Sequence, residues 1–404
     1  MPLPVAASTS IVGACPPQVN PPRAPERFPA PPQQDPGAGR WKLTGVEERL
    51  VSSAPGRICL FGEHQDFLGL EVVAAAVNLR IEIAGTPREG REFRLAMPDI
   101  ADEDAFDPNR PQEPRTRRDY LRQAANVLRS EGVTWPRGYD CVIRSAIPIN
   151  AGCSSSSALT VAWVGFLLAA AGADLTPEQV ARLAHRAEVL EFGEPGGMMD
   201  HYTSSLGGLV HIDCRDPIRV TPLEARPGGL VLGDSLEKKE TTSVLAQSKQ
   251  HVLKGVRLLG ETLPGFDLRR TRLDEAAPAV ARLPRQIGRK VEANLINRDI
   301  AQIGLGMLRD SRRFDADGLG RLLAAHHHEL SAKLGVSTPK IDRMCRAAAA
   351  AGALGAKING SGGGGAMFAF APGREQAAAR TIEAEGGKAY QVVIDDGLRL
   401  TRAP

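Results

Sequence analysis

Four consecutive serines, 154–157, stand between a glycine-containing turn and an uncharged run at 158–171. Serine is a good helix N-cap because its side-chain oxygen accepts a hydrogen bond from an otherwise unpaired backbone N–H. The alanine, leucine, valine and tryptophan that follow can propagate a helix. A helix N-terminus also offers free N–H groups and the positive end of the helix dipole, which attract phosphate. The stretch therefore predicts a helix whose start is either simply capped by serine or used to bind phosphate.

Two further stretches share this character of small residues and exposed backbone. They are Ala54–Asp66 and Gly360–Gly365, and the second has five glycines in six positions. Glycine allows positive φ and a close approach of the backbone to a ligand. This composition favours anion binding at 360–365 over a plain flexible hairpin. The sequence has neither a Walker A pattern nor a Rossmann fingerprint in a βαβ context, so the usual nucleotide-binding folds are not indicated.

Two acidic residues are candidates for chemistry beside a phosphate. Glu188 lies late on a predicted helix, and Asp200 follows two glycines and two methionines, an apolar setting for a carboxylate. A carboxylate near phosphate chemistry can hold Mg²⁺ or orient an attacking hydroxyl. Taken alone, Asp200 fits a helix cap or a salt-bridge partner at least as well.

Glu63, His64 and Asp66 follow a predicted strand together. A loop at that place can present them to a polyhydroxylated ligand, and helix capping is the alternative. The triplet His326–His328 superficially resembles a metal-binding tract. Adjacent histidines on a helix face different directions, however, so we expect solvent-exposed or capping roles for them.

Composition excludes several classes of protein. The chain has 404 residues, 42% hydrophobic and 24% charged, with a net charge of +3. This describes an ordinary soluble globular protein and predicts neither a nucleic-acid nor a membrane partner. The six cysteines are scattered without a C-x-x-C pair, which fits a reducing, cytoplasmic location rather than a disulfide framework or a zinc site.

The length predicts two domains. Residues 1–40 are rich in proline and poor in apolar residues, so we expect them to be disordered. Proline and charge cluster again near Arg215–Pro227, which places a domain boundary between 41–216 and 217–404. Periodicity predicts helices at 120–130, 176–191 and 374–385, and strands around 71–84, 139–146, 230–235 and 390–394. Residues 98–119 are predicted to be a surface loop. The fold class is therefore α+β.

In combination, the three small-residue stretches resemble the motifs of the GHMP kinases, and within them the galactokinase-like sugar kinases. A-P-G-R-I-C-L-F-G-E-H-Q-D-F is similar to the family's first motif, P-I-N-A-G-C-S-S-S-S-A to its phosphate loop, and K-I-N-G-S-G-G-G-G-A to its third, glycine-rich motif. G-G-M-M-D-H-Y-T-S-S-L-G-G resembles the galactokinase segment around the catalytic aspartate. The resemblance covers about 45–404 and implies a two-domain fold with the active site in the cleft between the domains.

The resemblance also implies a role for each matching residue. Asp200 would orient the acceptor hydroxyl and accept its proton, and Arg57 would lie beside the transferred phosphoryl group. The residues implied to bind sugar hydroxyls are Glu63, His64 and Asp66. Those implied to surround the ATP phosphates are Gly152, Cys153, Ser154, Ser155 and Ser156, together with Gly362, Gly363 and Gly364. Ser156 and Glu188 would hold Mg²⁺.

The implied function is an ATP-dependent sugar 1-kinase acting on galactose or a related sugar, as a monomer or weak homodimer. Phe67–Leu70 stands where galactokinases have Y-N-G-G, and no tyrosine follows V-L-G-D-S at the place where galactokinases set one against the sugar. These departures leave uronic acids and arabinose as alternative acceptors. L-F-G-E-H and A-A-A-V-N also resemble mevalonate kinases, although Arg57 stands where those enzymes have lysine. A non-catalytic sugar sensor is disfavoured, because such proteins lose serines from the phosphate loop.

Overall fold

The computed structural model describes residues 49–148, 152–194, 196–238 and 241–403, with only the backbone described for 241–247 and 403. The predicted disordered segment 1–40 lies outside the described residues, as do 149–151 of the serine stretch. In the described ranges the strands are β1 (Arg49–Phe61), β2 (Glu71–Arg88), β3 (Phe93–Met97), β4 (Asp102–Phe106), β5 (Gly138–Ser145), β6 (Leu209–Asp213), β7 (Arg219–Pro222), β8 (Leu230–Asp234), β9 (Gly355–Asn359), β10 (Ala366–Phe370), β11 (Lys388–Val392) and β12 (Arg399–Ala403). The α-helices are α1 (Tyr120–Ser130), α2 (Ser155–Ala171), α3 (Pro177–His185), α4 (Met199–Leu206), α5 (Thr241–Thr262), α6 (Leu273–Val280), α7 (Arg285–Leu308), α8 (Ala316–His328), α9 (Pro339–Ala350) and α10 (Glu375–Ala384). The α+β fold class is confirmed.

Two sheets organise these elements. The first has eight strands, ordered β12-β1-β2-β5-β3-β4, with β6 paired to β2 and β7 paired to β6. Its β3–β5 pair is parallel and its other pairs are antiparallel. The second sheet has four antiparallel strands, ordered β11-β8-β10-β9. Because β1 and β9 end at the predicted first and third motifs, the ends of these strands position the site.

Helix α2 forms part of the core beneath the first sheet. Thirteen of its residues are buried, among them Trp163 and Phe166, whose rings stack 5.6 Å apart. A helix that is apolar on all sides must be covered on all sides, and α2 packs against β1, β2, α1, α3 and α4. This burial fixes the position of the helix start, where the serines lie.

Helix α3 begins as its sequence predicts and ends differently. Thr176 and Gln179 form a reciprocal capping box, with Pro177 in the first turn. The helix then widens into a π-helical turn at Arg186–Leu190, closed by the Glu191 N–H donating to the Arg186 carbonyl. Such turns are rare and are frequent at functional sites. This one carries Glu188.

Some expectations from the sequence were wrong. The predicted loop 98–119 contains β4 as an edge strand and a short 3-10 turn at Pro98–Ile100. His326 is fully buried rather than exposed, with its ring 6.1 Å from the Phe61 ring, because α8 packs against β9 and β1. The boundary at 216/217 stays a prediction, although β7 and β12, which follow it in sequence, pair within the first sheet.

Candidate active site

The first, second and third motifs meet at the side chain of Asn359, the last residue of β9. Its Oδ1 accepts a hydrogen bond from the Cys59 N–H at 2.9 Å, while Nδ2 donates to the carbonyls of Gly152 at 3.0 Å and Arg57 at 3.4 Å. The contact is close because glycines line it. A Cβ at Gly152 would lie 2.5 Å from the Asn359 carbonyl, and one at Gly360 would lie 2.6 Å from the Gly152 carbonyl. One buried amide thus joins three stretches that are far apart in sequence.

A cavity of about 190 Å³ opens beside this junction. Nine of the predicted site residues line it: Arg57, Glu63, His64, Asp66, Gly152, Ser154, Ser156, Glu188 and Asp200. Its lining does not include Cys153, Ser155, Gly362, Gly363 or Gly364. Cys153 is buried at the base of the loop, so its side chain serves packing.

Arg57 and Asp200 form an ion pair at the cavity. Arg57 Nε donates to Asp200 Oδ1 at 2.7 Å, with the two side chains 4% and 28% exposed, and Arg57 Nη1 donates to the Gly152 carbonyl at 2.7 Å. Burial opposes ionisation of Asp200, but the charge and hydrogen bond of Arg57 hold the pKa of its carboxyl below the usual range. Asp200 therefore presents a carboxylate to the cavity at neutral pH.

Asp66 lies in the same cavity, but its pKa is shifted in the opposite direction from that of Asp200. Its Oδ1 accepts from the Phe67 N–H at 2.9 Å and its Oδ2 from the Met199 N–H at 3.4 Å. Burial, together with the negative charge of Asp200, raises the pKa of Asp66 to about 6. A Cβ at Gly197 would lie 1.8 Å from Asp66 Oδ2. The glycine at 197 is thus what makes room for this carboxyl.

Glu63 combines a place on the cavity with a buried ion pair. Its Oε2 lies 3.1 Å from Nζ of Lys357, which also donates to the Cys59 carbonyl at 2.8 Å. Both side chains are almost wholly excluded from solvent. The neighbouring His64 is buried with φ of 63°, a left-handed conformation that is uncommon outside glycine. Glu63 therefore anchors the loop that carries His64 and Asp66.

Glu188 projects from the π-helical turn toward the serine loop. Its Oε2 lies 2.7 Å from His201 Nε2, and its Oε1 accepts from the Ser157 hydroxyl at 3.2 Å. The His185 ring packs edge-on against His201 at 5.3 Å, and burial lowers the pKa of His185 to about 3. Ser156, predicted to hold Mg²⁺ together with Glu188, lines the same cavity. The serine hydroxyl that donates to Glu188 is that of Ser157.

These oxygens suit a magnesium ion. No group of three or more His, Cys, Asp or Glu side chains within the described ranges is arranged to hold a metal. Mg²⁺ usually takes one or two carboxylates and completes its shell with water and substrate phosphates. The Glu188 carboxylate and the Ser156 hydroxyl, which both line the cavity, are oxygen donors of the kind that such an ion uses.

The start of α2 lacks the serine cap that was one of the two alternatives predicted from its sequence. The N-cap residue Ser154 has φ of 57°, and its side chain makes no capping hydrogen bond. The backbone turn at Gly152 and Ser154, both with positive φ, delivers the helix start to the cavity. The helix terminus therefore lies uncapped by side chains beside the Arg57–Asp200 pair, as an anion site requires.

The glycines of the third motif form a turn with left-handed backbone. Gly362, Gly363 and Gly364 have φ of 80°, 69° and 111°. A Cβ at Gly362 would lie 2.3 Å from the Val336 carbonyl, which accepts the Gly363 N–H at 2.9 Å. These contacts explain why glycine is needed there. Their contact with ATP stays a prediction.

Sequence reasoning missed several residues of this region, among them Arg118, Tyr120 and Asn359. Arg118 and Tyr120 line the cavity although they were assigned to, or next to, a surface loop. Asn359 was part of the quoted third motif, but nothing in a single sequence indicates that its side chain reaches two other motifs. Its position at the end of an apolar strand was the one available signal.

Comparison with known proteins gives consistent results. A model of the GHMP kinase N-terminal domain matches residues 119–208, a model of the GHMP kinase C-terminal domain matches 307–388, and the galactokinase galactose-binding signature matches 42–87. Mevalonate kinase of Thermococcus gammatolerans is 32% identical over 87% of this chain and 98% of its own length. Galactokinase of Roseiflexus sp. is 30% identical over 86% of this chain and 88% of its own length.

Solved structures show the same fold. The crystal structure of Lactococcus lactis galactokinase complexed with galactose matches with a TM-score of 0.76 at 21% identity, covering 87% of this chain and 95% of that one. The Methanococcus jannaschii mevalonate kinase matches with a TM-score of 0.64 at 18% identity, covering 86% and 98%. Within the described residues, every helix is too short or too polar to cross a lipid bilayer. The chain belongs to the GHMP kinases, and it is a phosphotransferase with an alcohol group as acceptor.

Proposed function

We propose that this chain is an ATP-dependent sugar 1-kinase, which transfers the γ-phosphoryl group of ATP to the anomeric hydroxyl of galactose or a related neutral sugar. The observation that carries this proposal is the Arg57–Asp200 pair, which shares one cavity with the Glu63–Asp66 loop and the uncapped start of α2. Phosphoryl transfer needs positioning and charge compensation more than covalent chemistry. This cavity offers both.

In the proposed reaction each residue has a separate task. Asp200, ionised at neutral pH, accepts a hydrogen bond from the acceptor hydroxyl and turns its oxygen toward the γ-phosphorus. A bond forms between these two atoms, the bond from phosphorus to the bridging oxygen of ADP breaks, and Asp200 takes up the hydroxyl proton. Arg57, held by Asp200 and the Gly152 carbonyl, places a fixed positive charge beside the transferred group. The N–H groups at the start of α2 bind phosphate oxygens.

Glu188 and Ser156 are the residues proposed to hold Mg²⁺. When bound, the ion neutralises charge that develops on the β- and γ-phosphates. The hydrogen bond from His201 and the contact with Ser157 fix the orientation of the Glu188 carboxylate.

The charges around the cavity support a neutral acceptor. Among its described lining residues, five are carboxylates and two are guanidiniums. The carboxylates of Glu63 and Asp66 lie on the predicted sugar loop, where they would repel an acidic acceptor and accept hydrogen bonds from a polyol.

Mevalonate is the second candidate acceptor. Six relatives named mevalonate kinase are 27–32% identical to this chain. In addition, Nζ of Lys249 lies 4.9 Å from the centre of the Phe67 ring and interacts electrostatically with Asp66. This places a cation near the acceptor loop, where it could attract a carboxylate.

The experiment is an ADP-release assay with galactose, arabinose, galacturonate, glucuronate and mevalonate as acceptors. We expect turnover with a neutral sugar, and a loss of about 10²–10⁴-fold in kcat for Asp200→Asn because general-base catalysis contributes that much. ATP binding to this variant should be retained. A matched control is Asp395→Asn, since Asp395 pairs with Arg80 at 2.9 Å away from the cavity. Activity on mevalonate alone would overturn the sugar assignment, and undiminished turnover in Asp200→Asn would overturn the catalytic role.

A further inference from the structure

The cavity has few cations for a ligand that carries several negative charges. Of the described lining residues, only Arg57 and Arg118 are positively charged, against Glu63, Asp66, Glu188, Glu194 and Asp200. Arg57 is engaged with Asp200 and with the Gly152 carbonyl. A polyphosphate that enters here must therefore find further positive charge, and Arg118 is the lining side chain able to supply it.

Arg118 forms a two-pronged ion pair with Glu194 at the edge of the cavity. Nε lies 2.7 Å from Oε1 and Nη2 lies 2.7 Å from Oε2, so the guanidinium holds the carboxylate through two parallel hydrogen bonds. The side chains are 42% and 20% exposed. The same fork geometry suits a phosphate group as well as it suits a carboxylate. Glu194 thus occupies the position that a phosphate oxygen pair would take.

The Arg118–Glu194 ion pair is not the only contact that holds its two chain segments together. The two segments that carry it, 118–120 and 192–194, are also joined by the Tyr120 and Phe192 rings, which pack edge to face with centroids 5.5 Å apart. An ion pair this exposed contributes little to stability. The cost of exchanging the Glu194 carboxylate for a phosphate is correspondingly small.

We infer that Arg118 is a nucleotide-binding residue that exchanges its pairing with Glu194 for a phosphate of ATP. Glu194 holds the guanidinium in place before the nucleotide arrives and competes with the phosphate afterwards. This inference rests on the proposed use of the cavity for ATP. It adds a phosphate contact from the segment before α1, outside the three glycine-containing motifs.

The two partners of the pair should then have opposite effects on nucleotide affinity. Arg118→Ala removes a phosphate ligand, so we expect the Kd for MgATP, measured by titration calorimetry without acceptor, to rise at least about tenfold. Glu194→Gln removes the competitor and leaves Arg118 in place, so we expect the Kd to fall severalfold. Arg118→Lys, which keeps the charge without the fork, should lie between Arg118→Ala and the unmodified chain. The KM for the acceptor should stay unchanged in each.

A matched pair outside the cavity provides the control. Arg343 and Glu385 lie 3.1 Å apart and are similarly exposed, so Arg343→Ala and Glu385→Gln should leave the Kd for MgATP unchanged. If Arg118→Ala and Glu194→Gln both weaken MgATP binding, the pair is structural and the inference is overturned while the kinase proposal stands. The same holds if neither changes the Kd. If the unmodified chain does not bind MgATP, the proposed function and the inference fail together. If Arg118→Ala does not fold, the Glu194→Gln variant still tests the inference: a lower Kd for MgATP supports it, and a higher Kd overturns it.

Discussion

Replacing Gly197 by alanine should displace the Asp66 carboxyl from the proposed acceptor site. The new Cβ would lie 1.8 Å from Oδ2, 2.1 Å from Cγ and 2.6 Å from Oδ1 of Asp66. The backbone of Gly197 does not have positive φ, so alanine can adopt its conformation without strain. The steric conflict with Asp66 is therefore the whole perturbation.

The size of the displacement follows from these distances. Cβ atoms essentially never approach another heavy atom within 3.0 Å, so Oδ2 must move by about 1.2 Å or more. Asp66 is buried and receives backbone hydrogen bonds from Phe67 and Met199, so it cannot move without losing at least one of them. Misplacing a positioning group by about 1 Å costs on the order of 10²-fold in rate. We expect kcat/KM for the acceptor to fall by about that factor.

The assay is ADP release at varied acceptor and varied ATP concentration, and the adjacent glycine supplies its control. A Cβ at Gly196 would lie 3.2 Å from Cγ2 of Val189, a contact that a small side-chain shift relieves. Gly196→Ala should therefore change kcat/KM for the acceptor little. The KM for ATP should stay unchanged in both variants. Gly197→Ala with unchanged kcat/KM for the acceptor would refute the assignment of Asp66 to the acceptor site.

Two further predictions concern buried charge. Lys357→Met should lower the free energy of unfolding in urea by about 3–5 kcal/mol, because it leaves Glu63 buried without its partner. The double variant Lys357→Met/Glu63→Leu should recover part of this loss. A Lys357→Met variant as stable as the unmodified chain would contradict the prediction. Burial raises the pKa of Asp66 to about 6, so the folded chain binds the Asp66 proton more tightly than the unfolded chain does. Ionisation of Asp66 therefore lowers the free energy of unfolding. This loss of stability is absent below the unfolded pKa of 3.8 and complete above about pH 6. Asp66→Asn should therefore raise the free energy of unfolding by up to about 3 kcal/mol at pH 8 but not at pH 3. In the unmodified chain kcat/KM for the acceptor should fall as the pH drops through about 6, and this fall should be absent in Asp66→Asn. Equal free energies of unfolding for the two proteins at pH 8 would count against the raised pKa.

Much of the fold follows from local patterns in the sequence. Helix α1 occupies the residues that its apolar spacing predicts, and α3 begins at the capping box that Thr176 and Gln179 predict. Strand β5 begins and ends one residue before its predicted bounds, and β8 begins at its predicted residue and ends one residue early. These elements are indicated by patterns that repeat within two to four positions, which a single sequence displays. Strand β12, which exists through pairing with β1, was not predicted.

The candidate site shows the same division. Residues on the cavity such as Arg57, Asp66 and Asp200 could be predicted because their motifs resemble those of a family. The groups that hold them in place could not, since each depends on a long-range contact. Lys357 is a lysine inside an apolar strand, and its sequence gives no sign that Glu63 lies opposite. The π-helical turn that directs Glu188 requires only one extra residue per turn, a change that apolar periodicity does not resolve.

The backbone carbonyl of Gly152 is, beside the Asn359 amide, a second point at which the three motifs are joined. The carbonyl of Gly152 accepts hydrogen bonds from Arg57 Nη1 at 2.7 Å and from Asn359 Nδ2 at 3.0 Å. A carbonyl oxygen has two lone pairs, so these two donors fill it and fix the position of the serine loop relative to both strands. The same guanidinium that contacts Gly152 orients Asp200 through Nε. A shift of any one motif therefore moves the proposed base relative to the start of α2, and phosphoryl transfer depends on the relative position of such groups.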